Sequence, residues 1–375
     1  MVLGSYIALS IWGGESVKSW LIKFLFKFNL GIDDQYKKIF TTYSIDRPDY
    51  HYLMHQYFGQ DSKPFFVGIK NSKSELLSNP LSDLYYALKS VVFICNIQIG
   101  LFDRIKFMPL LSICFKIIDS LESKKINCEK YIAFNSSYKV ESFLCFYFRN
   151  RGIETISLQH GMYYKYHNEV PLDIINYENV CADLLLTWGR YSYEQTSEFL
   201  PKSSRSIIFG YPFEKQRKQD LLESDDIYVV LPRVIYWDAA KDLLRILSSI
   251  NPTVNYIVRP HPSIRLFLQE WIDNCLDKRF FLDDTDLLVN VFKEKSFKAV
   301  VGFNTTAIFQ ALLYDQNVLI YEDCASELKN PGFKLFRPDD EYEQIESLFV
   351  NDEQMTSRLK DYCFHRIESW ELLSA

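Results

Sequence analysis

From Lys130 onward, short runs of aliphatic and β-branched residues alternate with longer stretches whose apolar positions recur every three or four residues. Uninterrupted apolar runs bounded by turns read as strands buried on both faces, and the helical stretches between them as crossovers of a parallel sheet. Strands are predicted in this way over 131–135, 154–159, 184–188 and 206–209, with helices over 139–150 and 191–200. A charged stretch, 214–226 (EKQRKQDLLESDD), then interrupts the pattern and reads as an interdomain linker. The alternation restarts with strands over 227–231, 254–259, 299–302 and 318–321 and helices over 238–249, 264–275 and 306–314. Two final helices are expected over 339–349 and 353–373.

This pattern predicts an α/β chain of two doubly wound, Rossmann-like units. The first spans 1–213 and the second 227–350, joined by 214–226, with 351–375 available to cross back to the first unit. The initial ~125 residues carry weaker periodicity. There, 6–12 followed by Gly13-Gly14 suits a first strand and turn, 63–69 a further strand, and 81–121 is largely helical in pattern. Over 15–28, Glu15, Ser16, Ser19, Lys23 and Lys27 share one helical face opposite Val17, Trp20, Leu21, Phe24, Leu25 and Phe28. A core-facing first helix accounts for that; so does peripheral contact with an anionic lipid surface.

Composition narrows the function classes. The 375 residues are 48% hydrophobic and 24% charged, globular values that suit two ordinary cores. The net charge of −6, without a basic run, argues against a nucleic-acid partner, which would need concentrated Lys and Arg. The eight cysteines form no CxxC pair, and Cys95, Cys114 and Cys145 lie in apolar runs, so a reducing cytoplasm and no structural metal are expected. The N-terminus lacks the pattern of a secretory signal. The longest uncharged apolar stretch, 90–102, is well short of the ~20 residues a membrane-spanning helix needs.

Candidate chemistry collects where predicted strands end, the place where open α/β sheets bind ligands. Gln159-His160-Gly161 closes one strand. An imidazole there can take a proton from an attacking hydroxyl, or simply be a hydrogen-bonded histidine in a turn; spacing does not separate the two. Arg259-Pro260-His261-Pro262-Ser263 closes another strand. Arg259 offers a planar fork for phosphate, and His261 lies where a helix N-terminus favours anions. Gly302-Phe303-Asn304-Thr305-Thr306 follows a third strand, with Asn304 or Thr305 as helix cap and hydroxyls facing outward. Glu322, after a fourth, suits ribose hydroxyls. Asn135-Ser136-Ser137 is a further strand-end turn on the acceptor side, Glu15 an alternative base, and Trp188-Gly189 structural. His51, His55, His167 and His365 read as ordinary core or surface histidines. Asp283-Asp284-Thr285-Asp286 reads as a helix cap, its acids being adjacent rather than spaced for metal ligation.

Taken in order, YIAFNSSYKVESFLCFYFRNRGIETISLQHGMYY, DLLLTWG, IVRPHPS and VVGFNTTAIFQALLYDQNVLIYE resemble a superfamily of bacterial capsule and cell-wall polymer transferases. It includes polysialyltransferases, capsule Kdo transferases and the CDP-glycerol glycerophosphotransferases of teichoic acid synthesis. The resemblance covers roughly 130–323. It implies a GT-B fold, an active site between the domains, and a metal-independent, inverting displacement. It also implies that His261 contacts the donor phosphate, that Thr305 and Thr306 hold the same phosphates, and that His160 is a candidate base. Two departures stand out: only Gly-Gly-Glu-Ser is available for the acidic motif of the polysialyltransferases, and Gln159 replaces the Trp that precedes His-Gly in teichoic enzymes.

The expectation is therefore a cytoplasmic glycosyltransferase, peripheral to the membrane's inner face where it touches one. It would carry a sugar from a CMP-, CDP- or UDP-linked donor to a glycan or lipid-linked glycan acceptor of the cell surface. Arg259, His261, Asn304, Thr305, Thr306 and Glu322 would hold the donor, with His160 or Glu15 as base and no cofactor. The rivals are a CDP-polyol phosphate transferase, a nucleotide-sugar 2-epimerase and an inactive capsule-assembly scaffold.

Overall fold

The computed structural model describes residues 39–43, 48–58, 65–66, 85–86, 88–92, 100, 111–112, 114–119, 121–123, 128–137, 139–163, 177–213, 221–250, 253–285, 287–322 and 331–373. The Gly13-Gly14-Glu15-Ser16 turn, the amphipathic stretch 15–28, His167, Asp286 and Asp323 lie outside these residues.

The first sheet contains β1 (Ile39–Tyr43), β2 (Phe65–Phe66), β3 (Lys130–Ala133), β4 (Glu154–Leu158), β5 (Leu184–Thr187) and β6 (Arg205–Ile208). Helices α1 (Pro48–Phe58), α2 (Lys139–Arg149) and α3 (Arg190–Thr196) follow β1, β3 and β5. The strands run parallel in the order β2-β1-β3-β4-β5-β6.

The second sheet contains β7 (Leu222–Val230), β8 (Tyr256–Arg259), β9 (Phe280–Leu282), β10 (Lys295–Gly302), β11 (Val318–Tyr321) and β12 (Lys334–Phe336). With them come α4 (Trp237–Ile250), α5 (Arg265–Cys275), α6 (Leu288–Glu294), α7 (Ala307–Leu313), α8 (Tyr342–Ser347) and α9 (Glu353–Cys363). These strands too are parallel, in the order β12-β11-β10-β7-β8-β9.

Strand side chains alternate between faces, and here both faces are apolar. Tyr228 and Val230 of β7 and Val300 of β10 enter one core; Ile227, Val229, Ala299 and Val301 enter another on the opposite face. In the first sheet Ile132, Leu184 and Leu186 point to the former core, and Tyr131, Ala133 and Leu185 to a third. One core is thus shared by the inner faces of both sheets, and the other two lie outside them. Burial on both faces is why these strands read as continuous apolar runs.

The structure corrects several expectations. Strand β7 begins at Leu222, inside the stretch expected to be linker, because its polar half pairs with Lys295–Phe297 of β10. That half is exposed or half-buried, so hydropathy did not show it. The helix expected over 353–373 ends at Cys363. Beyond it the His365 N–H bonds to the Trp188 carbonyl and the His365 carbonyl accepts from the Tyr211 N–H, each at 2.8 Å. An extended conformation supplies those bonds, and a helix would not. Among the described residues, no helix is long and apolar enough to cross a membrane.

Candidate active site

Among the described strands, chain order reverses between β7 and β10 in the second sheet and between β1 and β3 in the first. A ligand crevice opens outside the carboxyl ends of strands at such a reversal. The turns after β10 and β7, and the turn after β3, therefore occupy the two favoured positions.

Strand β10 ends at Gly302, where a Cβ would stand 2.5 Å from the Val230 carbonyl oxygen; only glycine lets β10 approach β7 this closely. Asn304 then turns the chain through left-handed backbone, φ 45°. A non-glycine residue held there marks a turn that its surroundings enforce. Half-buried Thr305 and Thr306 follow, and the Thr305 hydroxyl accepts from the Ala307 N–H at 3.4 Å. The helix cap differs from expectation: it is Thr306, whose side chain makes no capping bond.

After β7 comes Leu231-Pro232-Arg233, and the Val234 N–H bonds to the Ser263 hydroxyl at 3.1 Å, lacing this turn to the one after β8. Arg233 is exposed, and no side-chain hydrogen bond or ion pair engages it among the described residues. The sequence reading passed over it, although a strand ending in Pro-Arg repeats the pattern that singled out Arg259.

In the turn after β8, His261 Nδ1 accepts the Ser263 N–H at 3.1 Å and lies 2.8 Å from its hydroxyl. That acceptance puts the proton of the neutral ring on Nε2. The helix after this turn, α5, starts at Arg265. Arg259 Nη1 pairs with Asp283 at 2.9 Å and also donates to the Thr285 carbonyl. Asp283 is the hub here. It accepts from the Tyr228 hydroxyl, the Thr285 hydroxyl and, at 2.9 Å, the Thr285 N–H. Burial alone would raise its pKa, but those hydrogen bonds and the Arg259 charge outweigh burial and hold it below the usual carboxylate value. Burial, together with Asp283 beside it, pushes the Tyr228 phenol upward. The expected helix cap is thus overturned: α6 starts at Leu288, and Asp283 serves Arg259 instead. Glu322, after β11, is likewise paired, taking two bonds from Arg337 at 2.9 and 3.1 Å.

Adjacent strands lie about 4.8 Å apart. The turns after β8, β7, β10 and β11 therefore occupy roughly 14 Å of one sheet edge, carrying His261, Arg259, Arg233, Asn304–Thr306 and Glu322. No hydrogen bond joins Arg259 or His261 to Thr305 or Thr306 among the described residues; strand β7 stands between them.

On the first sheet, His160 follows β4 beside the turn after β3. Its Nε2 is 3.3 Å from Asn135 Nδ2 and its Nδ1 3.4 Å from the Tyr163 hydroxyl. Tyr50, Phe134 and Tyr163 surround the ring at centroid distances of 5.9–6.0 Å. Asn135 Oδ1 accepts from the Ser137 N–H at 3.0 Å, which aims the amide nitrogen at His160. Buried Glu141 accepts the Asn135 N–H at 2.8 Å, and the Ser157 hydroxyl accepts the Ser136 N–H at 3.0 Å. This turn therefore spends its amides internally. Among the described residues no group of three His, Cys, Asp or Glu side chains is placed to hold a metal ion.

No protein-family model matches the chain, and no curated protein matches its sequence significantly. Solved structures do match in fold. The UDP-GlcNAc 2-epimerase of Methanocaldococcus jannaschii, in complex with UDP-GlcNAc and UDP, superposes with a TM-score of 0.52 at 10% identity, covering 89% of this chain and 98% of that one. The glycotransferase of kitacinnamycin gives 0.50 at 9% identity, over 88% and 95%. S. aureus TarM, solved with fondaparinux, α-GlcNAc-glycerol and UDP, gives 0.48 at 12% identity over 71% of this chain. The chain spans 57% of that TarM structure's length. The likeness shows the fold: two Rossmann-like domains in the GT-B arrangement, facing across a cleft.

Proposed function

We propose that the protein is a glycosyltransferase that moves a sugar from a nucleotide-activated donor to a surface-glycan acceptor by an inverting, metal-independent displacement. One observation carries this reading: imidazole, guanidinium, hydroxyl and carboxylate groups follow four adjacent strands at the edge where the second sheet reverses order. Exposed Arg233, the His261 imidazole and the Thr305 and Thr306 hydroxyls suit a diphosphate, and Glu322 suits a ribose. Arg259, tied to Asp283, keeps its fork in a fixed orientation and contributes charge. The likeness in fold to a protein solved with UDP-GlcNAc and UDP supports a nucleotide-sugar donor.

In the proposed reaction His160 Nε2 takes the proton of an acceptor hydroxyl, which exchanges with the Asn135 amide for that lone pair. The oxygen attacks the anomeric carbon, the bond from that carbon to the donor phosphate breaks, and the nucleotide leaves with the electron pair. Fixed positive charge at the leaving phosphate stabilises the developing anion, commonly the largest catalytic term. A first domain over 1–213 and a second that opens with β7 at Leu222 and runs to 350, a capsular or lipopolysaccharide-type acceptor and a cytoplasmic, membrane-peripheral location belong to this proposal. An epimerase would need carboxylates poised on the sugar ring. Asp283, Asp284 and Glu322, all at this edge, are each paired with an arginine.

The test incubates the protein with CMP-, CDP-, UDP- and GDP-sugars, with and without a glycan acceptor, and identifies the product linkage by mass spectrometry. A new glycosidic bond is expected. A phosphodiester product, or interconversion of the donor without acceptor, would overturn the reading.

A further inference from the structure

The turn that carries His160 is held by its neighbour. Gln159 is fully buried, and both ends of its amide are committed. Oε1 accepts the Trp188 N–H at 2.7 Å, and Nε2 donates to the Gly161 carbonyl at 2.7 Å and to the Ser192 hydroxyl at 2.8 Å. The Gln159 backbone N–H adds a bond to the Leu186 carbonyl at 3.1 Å. One side chain therefore straps the far side of the His160 turn to the end of β5 and to α3.

The other end of that strap reaches the second domain. Next to Ser192, the Tyr191 ring stacks on Phe309 of α7 with centroids 5.7 Å apart. Helix α7 starts directly after Thr306, so the element that follows the hydroxyl turn packs on the element to which Gln159 is bonded. A hydrophobic residue at position 159 could fill the space but could make none of these three bonds.

We propose that Gln159 is a positioning residue: it fixes the His160 imidazole relative to the donor-side helix α7, acting through Gly161 on one side and Ser192 on the other. The proposal rests on the reading of His160 as base. Its chemistry is orientation alone, since Gln159 is buried and touches no reacting atom. A displacement of about 1 Å at a catalytic group can cost roughly 100-fold in rate, which sets the effect to expect.

The experiment uses the full chain labelled with 15N-histidine, whose six histidines give a sparse imidazole spectrum; the His160 signals are assigned with His160→Gln. Gln159→Leu, Ser192→Ala and Ser192→Thr are compared with the wild type, needing no ligand. Gln159→Leu and Ser192→Ala should shift or broaden the His160 signals and leave those of His261 in place, while Ser192→Thr, which keeps the hydroxyl, restores the wild-type pattern. If Gln159→Leu does not fold, Ser192→Ala carries the test. His160 signals that superimpose on wild type in a folded variant, or equal shifts at all six histidines, would overturn the proposal. With whichever nucleotide sugar turns over in the linkage assay, kcat should fall about 100-fold in Gln159→Leu while the donor KM stays within about threefold; a KM change alone would also count against it. Full turnover in His160→Ala would remove the base reading yet leave the spectroscopic result standing, so the two failures are distinguishable.

Discussion

Asp283 collects the bonds of three side chains and one backbone amide in a buried position, and its worth can be read from pH. Its folded pKa is depressed, so its stabilisation is complete above the ordinary carboxylate value near 3.9 and is lost as pH falls through the lower folded value. Asp283→Asn should cost roughly 1–3 kcal/mol at pH 7 by removing the carboxylate charge that faces Arg259. It should also flatten the decline of stability below about pH 4. Urea unfolding between pH 7 and pH 3 checks both; parallel declines in variant and wild type would contradict the assignment. At the same scale, His160→Ala should reduce turnover roughly 10²- to 10⁴-fold, the usual contribution of a general base, with donor affinity unchanged in a binding assay. Normal rates would move the base to Glu15. Arg259 and His261 were legible because a cation and an imidazole share one strand-end turn. Asp283 was not, because only the pairing of β8 with β9 brings it to Arg259 from 24 positions further along.

From β3 onward, apolar strand segments of four or five residues announced themselves in the sequence, and the shorter or polar ones did not. β4, β8 and β10 are apolar runs that end in the candidate turns, so those turns could be placed before the coordinates. β9 and β12 have three residues each, too few for any period to register, and the polar half of β7 is invisible to hydropathy because it is not buried. The helix cap expected at Asn304 or Thr305 failed for a related reason: Asn304 is in left-handed backbone, and the cap falls at Thr306. Gly302 is the element-level test. A methyl group there meets both the Val230 carbonyl and the Val230 side chain at 2.5 Å, so Gly302→Ala should separate β10 from β7. The expected cost is roughly 1–3 kcal/mol, as for other overpacked cores, measured by thermal melting. Because the two strands frame the proposed phosphate site, nucleotide affinity should fall with it. Unchanged stability would mean that β10 and β7 do not need this close approach.

The two sheets are joined by a shared core and by the segment after α8. Helix α9 touches both: Lys360 pairs with Asp315 of the second unit at 2.8 Å, and the Tyr362 hydroxyl donates to Glu194 of the first at 2.7 Å. The Lys360–Asp315 pair is partly exposed and contributes less than about 1 kcal/mol. The stronger anchor is apolar and backbone. Phe364 stacks on Trp188 at 6.0 Å, and residues 363–366 press on Gly189 and Gly210, where added methyl groups would strike the Cys363 and His365 carbonyls. Gly210 also needs its φ of 116°. Removing 364–375 should lower the calorimetric melting temperature by several degrees, on the order of the 2–4 °C per kcal/mol expected for larger domains; an unchanged melt would contradict the role of this segment. Both doubly wound units were legible in the sequence, whereas the extended strap at Phe364–Arg366 was read as helix because its partners, Trp188 and Tyr211, are more than 150 positions away.

On the proposed reading, the strand-end turns of the second sheet hold the phosphates of a nucleotide. Isothermal titration of CMP, CDP, UDP and GDP into the wild type and into His261→Ala measures that binding. Saturable binding of at least one nucleotide is expected, weakened about 10- to 100-fold in His261→Ala by loss of a hydrogen bond to a charged group. Equal affinity in the two proteins, or no binding of any of the four by the wild type, would contradict it.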